Sequence, residues 1–166
     1  MERLDADAAR ARLDDLAALL KEAVDEGAGV GFLAPLSPDE ARAYWAGLLP
    51  DVDAGRRALL AARAPDGSVV GTAMLERARP ANARHRAEVQ KVLVARRWRG
   101  QGVATRLLAE AERVARAEGV TLLVLDTGRA GRLYETAGYA RAGDIPRYWR
   151  TNEGDLAPTH LYYKLL

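Results

Sequence analysis

Between Arg96 and Arg106 the chain carries residue types suited to holding a pyrophosphate: Arg99, Gly100, Gln101 and Gly102, followed by Val103, Ala104 and Thr105 at the start of a predicted helix. Gly100 and Gly102 let the backbone turn tightly and come close to a ligand. The first amides of the helix have no intrahelical partners and point back into the turn, where the helix dipole also favours negative charge. Arg96, Arg97, Arg99 and Arg106 surround the turn and offer cationic donors for phosphates. The run differs from a Walker loop, because Gly102-Val103-Ala104 lacks the Gly-Lys-Ser/Thr ending. A second chemical position is Asp126, which ends the apolar run Val120 to Leu125. Open sheets gather ligands at the carboxyl ends of their central strands.

Other chemistries are poorly supplied. The chain has no cysteine, which removes disulfides, thiolate nucleophiles and cysteine metal sites. Its two histidines, His85 and His160, are far apart in sequence, so no zinc site and no metal cofactor are expected. The two serines, Ser37 and Ser68, read as a helix cap and a hairpin turn rather than as nucleophiles. A net charge of +2 is too small to argue for nucleic acid. No apolar run is long enough to span a membrane, and the charged stretch Met1 to Arg12 has no signal-peptide core, so the expectation is a cytoplasmic protein. The length of 166 residues suits a single domain over 1–166.

The elements that must position these residues follow from periodicity. Leu13, Leu16, Leu20 and Val24 share one face of a helix predicted from about Asp7 to Glu26. The loop Gly27 to Leu33 holds the only phenylalanine, Phe32, either as an anchored connector or as a wall of a substrate pocket. Ser37-Pro38-Asp39-Glu40 announces a second helix, with Tyr44, Trp45 and Leu48 on its buried side. A hairpin is predicted from Ala58–Arg63 and Val69–Glu76 around Pro65-Asp66-Gly67. Val89, Val92 and Val94 mark a buried strand that enters the glycine turn. The helix after the turn carries Leu107, Leu108, Ala111, Val114 and Ala115 on one face and stops near Gly119. Residues 120–125 read as a strand buried on both faces. Strand, helix, strand in that order implies parallel pairing of 87–95 with 120–126 through a right-handed crossover. A short helix at Arg132 to Ala137, a strand at Tyr139 to Ala142 and a final strand at His160 to Leu165 complete the expectation.

Arg99-Gly100-Gln101-Gly102-Val103-Ala104 resembles the Arg/Gln-x-x-Gly-x-Gly/Ala signature of the GCN5-related N-acetyltransferases. Leu133-Tyr134-Glu135-Thr136-Ala137-Gly138-Tyr139 resembles their Tyr-x-x-x-Gly-Tyr/Phe element. Arg86 to Val94, Leu125-Asp126-Thr127, Gly143 to Tyr148 and Tyr162 to Leu165 look similar to the branch that contains the tabtoxin-resistance acetyltransferase. The likeness runs from about residue 13 to the end. Gly29, where relatives tend to carry serine, and the short connection Gly128-Arg129-Ala130-Gly131-Arg132 depart from that branch.

The resemblance implies an α/β (α+β) fold. It would be a mixed central β-sheet of about six to seven strands flanked by about four helices, with acetyl-CoA bound at a splay between the two central parallel strands. The cosubstrate would be held by Val92, Leu93, Val94, Arg99, Gly100, Gln101, Gly102, Val103, Ala104 and Thr105. A backbone amide of 92–94 would serve as oxyanion donor. The reaction implied is attack of an amine on the acetyl-CoA thioester. Glu88 and Asp126, on adjacent strands, can then bind an ammonium and take its proton. The structural alternatives are that Glu88 pairs with Arg86 or Lys91 and that Asp126 caps a turn. Tyr134 would face the leaving thiolate. Full proton transfer from a phenol to a thiolate is uphill by about 1.5 pKa units, roughly 2 kcal/mol, whereas a hydrogen bond carries no such penalty. The acceptor implied is a small-molecule amine, amino-acid-like and of antibiotic or antimetabolite type, in a monomer or homodimer. The alternatives are a peptide or protein N-acetyltransferase and an acyl-CoA-binding sensor without catalysis.

Overall fold

A computed structural model describes residues 1–166. The elements in chain order are β1 (Glu2–Leu4), α1 (Ala6–Arg10), α2 (Leu13–Asp25), α3 (Pro38–Asp53), β2 (Arg57–Arg63), β3 (Val69–Arg77), β4 (Arg86–Val94), α4 (Val103–Ala117), β5 (Leu122–Thr127), α5 (Gly131–Thr136), β6 (Ala140–Arg150) and β7 (Leu156–Leu165). They form one seven-stranded sheet of order β1-β2-β3-β4-β5-β7-β6. Only β4 and β5 pair in parallel, as the helical crossover requires.

Residue parity along β2 shows how the sheet divides two cores. Ala58, Leu60 and Ala62 pack with Leu107, Leu108 and Ala111 of α4, whereas Leu59 and Ala61 pack with Leu16 and Leu20 of α2 and Trp45 of α3. Each fully buried leucine contributes about 1.5–3 kcal/mol relative to exposure, so both helix layers are held mainly by these side chains. Helix α3 starts where the sequence says it should. Ser37 accepts from the Glu40 amide at 3.2 Å, and the Glu40 carboxylate accepts from the Ser37 amide at 3.0 Å.

Several expectations need correction. The N-terminal helix is broken: Asp5 caps α1 by accepting from the Ala8 amide at 2.7 Å, and the chain leaves helical geometry at Arg12 before α2. Residues 7–12 carry no apolar side chain larger than alanine, so nothing there continues the Leu13 stripe. Strand β5 is buried on one face only, through Leu123 and Leu125, while Leu122 and Val124 are partly exposed on the other. The final strand does not close the sheet, because β7 lies between β5 and a β6 edge far longer than Tyr139–Ala142.

Strand β4 carries the feature that shapes the site. Its pairing with β3 steps from Met74↔Gln90 to Thr72↔Leu93, which leaves one extra residue on β4. Lys91 sits there in the left-handed region with φ 50°, and its carbonyl accepts from Thr72 Oγ1 at 2.9 Å. A bulge reverses side-chain parity. Ala87 and Val89 belong to the α4 core before it; afterwards Leu93 belongs to the opposite core and Val92 and Val94 turn toward α4, only partly buried.

Candidate active site

The parallel pairing of β4 with β5 covers only Arg86↔Leu122, Ala87↔Leu123 and Glu88↔Val124. Both strands run on past that point, to Val94 and Thr127, without pairing to each other. The resulting splay opens a cleft of about 1110 Å³ lined by residues from both sheet faces.

On one face of the sheet the splay brings the predicted carboxylates together. Glu88 is opposite Val124, and Asp126 lies two residues further along β5, so the two side chains share the face away from α4. Both line the cleft. Asp126 accepts a 2.8 Å hydrogen bond from Thr159 Oγ1 on β7, whose residue is wholly buried. Glu88 forms no ion pair with Arg86 or Lys91. Lys91 also lines the cleft, with its ammonium 5.3 Å from the Tyr44 ring centre. Burial, followed by Arg57, pushes its pKa below the usual lysine range, and Glu88 and Asp126 oppose that shift.

Tyr134 comes from α5 on the α4 side of the splay. It is 6% exposed, packs edge-on against Tyr139 at 5.8 Å and lines the cleft. Burial first and the Asp126 charge second push its pKa up to about 12. Its hydroxyl, protonated at neutral pH like that of any tyrosine and here a weaker acid, makes no hydrogen bond to the protein. The neighbouring Tyr162 hydroxyl, in contrast, donates to Glu135 at 2.9 Å. The short 128–132 connection thus leaves both Asp126 and Tyr134 on the cleft.

At the α4 end, Gly100 and Gly102 adopt left-handed φ of 72° and 74°. The first α4 amide to find a backbone partner is that of Arg106, which donates to the Gly102 carbonyl at 3.1 Å; the amides of residues 100–105 donate to no protein acceptor. This array and the unpaired edge of Val92, Leu93 and Val94 fit an extended cosubstrate that bears a pyrophosphate. Arg99 and Ala104 also line the cleft. The Val103 side chain is buried in the core, which leaves only its amide for a ligand. The arginines around the turn are only partly free. Arg99 donates to the Val94 carbonyl and pairs with Glu26 at 2.6 Å, and Arg106 donates to the Gln101 carbonyl.

Sequence reasoning left out Lys91, Thr159 and Trp149, all of which line the cleft. Lys91 stands beside Gln90 in the central strand, and only the bulge turns it into the site. Thr159 is found only through the β5–β7 register, which no local pattern encodes. Phe32 proves to be a wall residue, packed edge-on against Tyr44 at 5.1 Å. His160 lies away from these groups, with Nδ1 2.7 Å from Asp144.

Comparison with known proteins agrees with this geometry. The model of the acetyltransferase (GNAT) family matches residues 30–143. An uncharacterized N-acetyltransferase in the hisH-hisA intergenic region of Azospirillum brasilense is 33% identical over 147 residues, covering 82% of this chain and 84% of its own. The crystal structure of ribosomal-protein-alanine N-acetyltransferase from Brucella melitensis superposes with TM-score 0.78 at 26% identity, over 95% of this chain and 96% of that one. The phosphinothricin acetyltransferase from Sinorhizobium meliloti, solved in complex with AcCoA, shares the fold with TM-score 0.77 at 20% identity, over 95% of this chain and 84% of that one. This chain, with its splayed central strands and free helix amides, belongs to the acetyltransferase (GNAT) family of enzymes.

Proposed function

We propose that the protein transfers the acetyl group of acetyl-CoA to the primary amine of a small molecule. The observation that carries this reading is the splay: one cleft runs from Arg99 and Ala104, beside the unpartnered amides of residues 100–105, to Glu88 and Asp126 on the other sheet face. When bound, acetyl-CoA supplies an activated acetyl thioester. The amides at the head of α4, with the edge of Val92, Leu93 and Val94, hold and orient it. Glu88 and Asp126 attract the acceptor as its ammonium and remove a proton, directly or through water, so that the amine nitrogen carries a free electron pair. The N–C bond forms first and moves the carbonyl electron pair onto oxygen; as the C=O bond re-forms the C–S bond breaks, the displaced pair leaves on sulfur, and the nitrogen loses its remaining extra proton to water. Tyr134, held in its protonated form, is the donor available to that thiolate. A β4 amide stabilises the oxyanion.

The resemblance to the tabtoxin-resistance branch supports an amino-acid-like antimetabolite as acceptor, neutralised by loss of its cationic amine. The test is acetyl-CoA-dependent thiol release across the β-lactam amino acid of tabtoxin, free amino acids, aminoglycosides and short peptides. The chain has no cysteine, so a thiol reagent reports coenzyme release without background from the protein. Release with amino-acid-like amines, matched by the acetylated product in mass spectrometry, is the expected result. Tight acetyl-CoA binding with no release for any amine would leave a sensor and defeat the proposal.

A further inference from the structure

Trp149 lines the cleft and is held there by contacts that no catalytic role requires. Strand β6 pairs with β7 at Ile145↔Thr159 and resumes at Trp149↔Ala157, so two extra residues lie on β6 between them, with Arg147 at φ 56°. Bulges of this kind re-aim side chains next to binding sites. The indole Nε1 donates to the Pro158 carbonyl at 3.0 Å, which fixes the ring next to Thr159, the partner of Asp126.

Two glycines touch that ring. A Cβ on Gly29 would lie 2.9 Å from Trp149 Cδ2, and one on Gly128 would lie 3.0 Å from Cζ2 and Nε1. Neither glycine has a left-handed φ, so the backbone does not demand glycine at either place. The indole does. Gly29 lies in the α2–α3 loop and Gly128 two residues beyond Asp126, so the ring joins the two loops flanking the carboxylates. The hairpin tip secures the same junction. Asn152 donates to the Val24 carbonyl at 3.1 Å and accepts from the Ala34 amide at 2.9 Å, spanning the α2–α3 loop.

We infer that Trp149 sets acceptor size: its indole closes the acceptor mouth so that a single amino-acid-sized amine reaches Glu88 and Asp126, while a peptide amine does not. This inference rests on the acetyl-transfer reading. The test compares wild type, Trp149→Ala and Gly128→Ala on glycine, diglycine and tetraglycine, which present the same reacting amine at increasing length. Initial rates give kcat/KM, and calorimetry with coenzyme A present gives binding of the same three acceptors. Both variants are expected to raise the tetraglycine-to-glycine ratio by about tenfold or more, the scale on which pocket sterics discriminate. The KM for acetyl-CoA should stay within about twofold of wild type, since the indole lies away from the coenzyme amides. A ring that only holds loops together would lower the melting temperature and leave the ratio unmoved in rates and in binding, which overturns the inference. Acetyl transfer to none of the three in any protein counts against the catalytic reading; the gate is then decided by the calorimetric ratio alone.

Discussion

Tyr134 is held in its protonated form by its surroundings, and two consequences follow at the scale of single residues. The first is catalytic: a tyrosine hydroxyl is already protonated at neutral pH, and burial, which pushes its pKa up to about 12, makes it a weaker acid, so Tyr134 acts on the thiolate as a hydrogen-bond donor rather than by full proton transfer. Tyr134→Phe should reduce kcat by about 10²-fold while leaving acetyl-CoA affinity unchanged, as expected for a group that acts on charge developing at the leaving atom. Steady-state rates paired with calorimetry check this. The second concerns stability. An unfolded tyrosine titrates near pH 10, about two units below the folded Tyr134, so its contribution is fully present below pH 10 and is lost as pH rises toward 12. For Tyr134 the loss amounts to about 2–3 kcal/mol. Tyr44 is pushed up to about 12 mainly by burial and acts in the same direction. Melting temperatures followed by circular dichroism should therefore fall steeply between pH 10 and 12. The fall should be shallower in Tyr134→Phe. Tyr134 and Asp126 were readable from sequence because each stands in a recognisable motif. Lys91 was not, since its approach to the site is a product of strand pairing.

Among the elements, α4 packs closely on β3 at Gly71. A Cβ on Gly71 of β3 would lie 3.0 Å from the Leu93 carbonyl, 3.1 Å from Leu107 Cδ1 and 3.2 Å from Val103 Cγ1. Gly71→Val should cost about 1–3 kcal/mol by overpacking. Because Val103 opens the helix whose free amides are proposed to hold acetyl-CoA, it should also weaken acetyl-CoA binding. Chemical denaturation and calorimetry report the two effects separately. The capping box of α3 yields a milder change: Ser37→Ala should destabilise by about 1 kcal/mol without affecting turnover. Local signals of this kind were legible. Ser37-Pro38-Asp39-Glu40 marked a helix start, Gly119 a stop and Pro65-Asp66-Gly67 a turn, because each acts within a few residues. The bulge at Lys91 and the one-sided burial of β5 depend on what packs opposite, so periodicity alone did not reach them.

At the scale of the whole molecule, the proposed function rests on two neighbouring strands that stop pairing. The parallel arrangement of β4 and β5 was legible from strand, helix, strand order. The insertion of β7 between β5 and β6 was not, because it is decided by register between segments distant in sequence. That insertion supplies Thr159 to Asp126, and the β6–β7 hairpin brings Trp149 against the α2–α3 loop. The most direct test of the account is turnover by Glu88→Gln combined with Asp126→Asn, measured at neutral pH with the best amine found for wild type and alongside acetyl-CoA affinity. The account predicts a fall in kcat of about 10² to 10⁴-fold, the range for loss of general-base catalysis, with acetyl-CoA affinity unchanged. Turnover equal to wild type would contradict it.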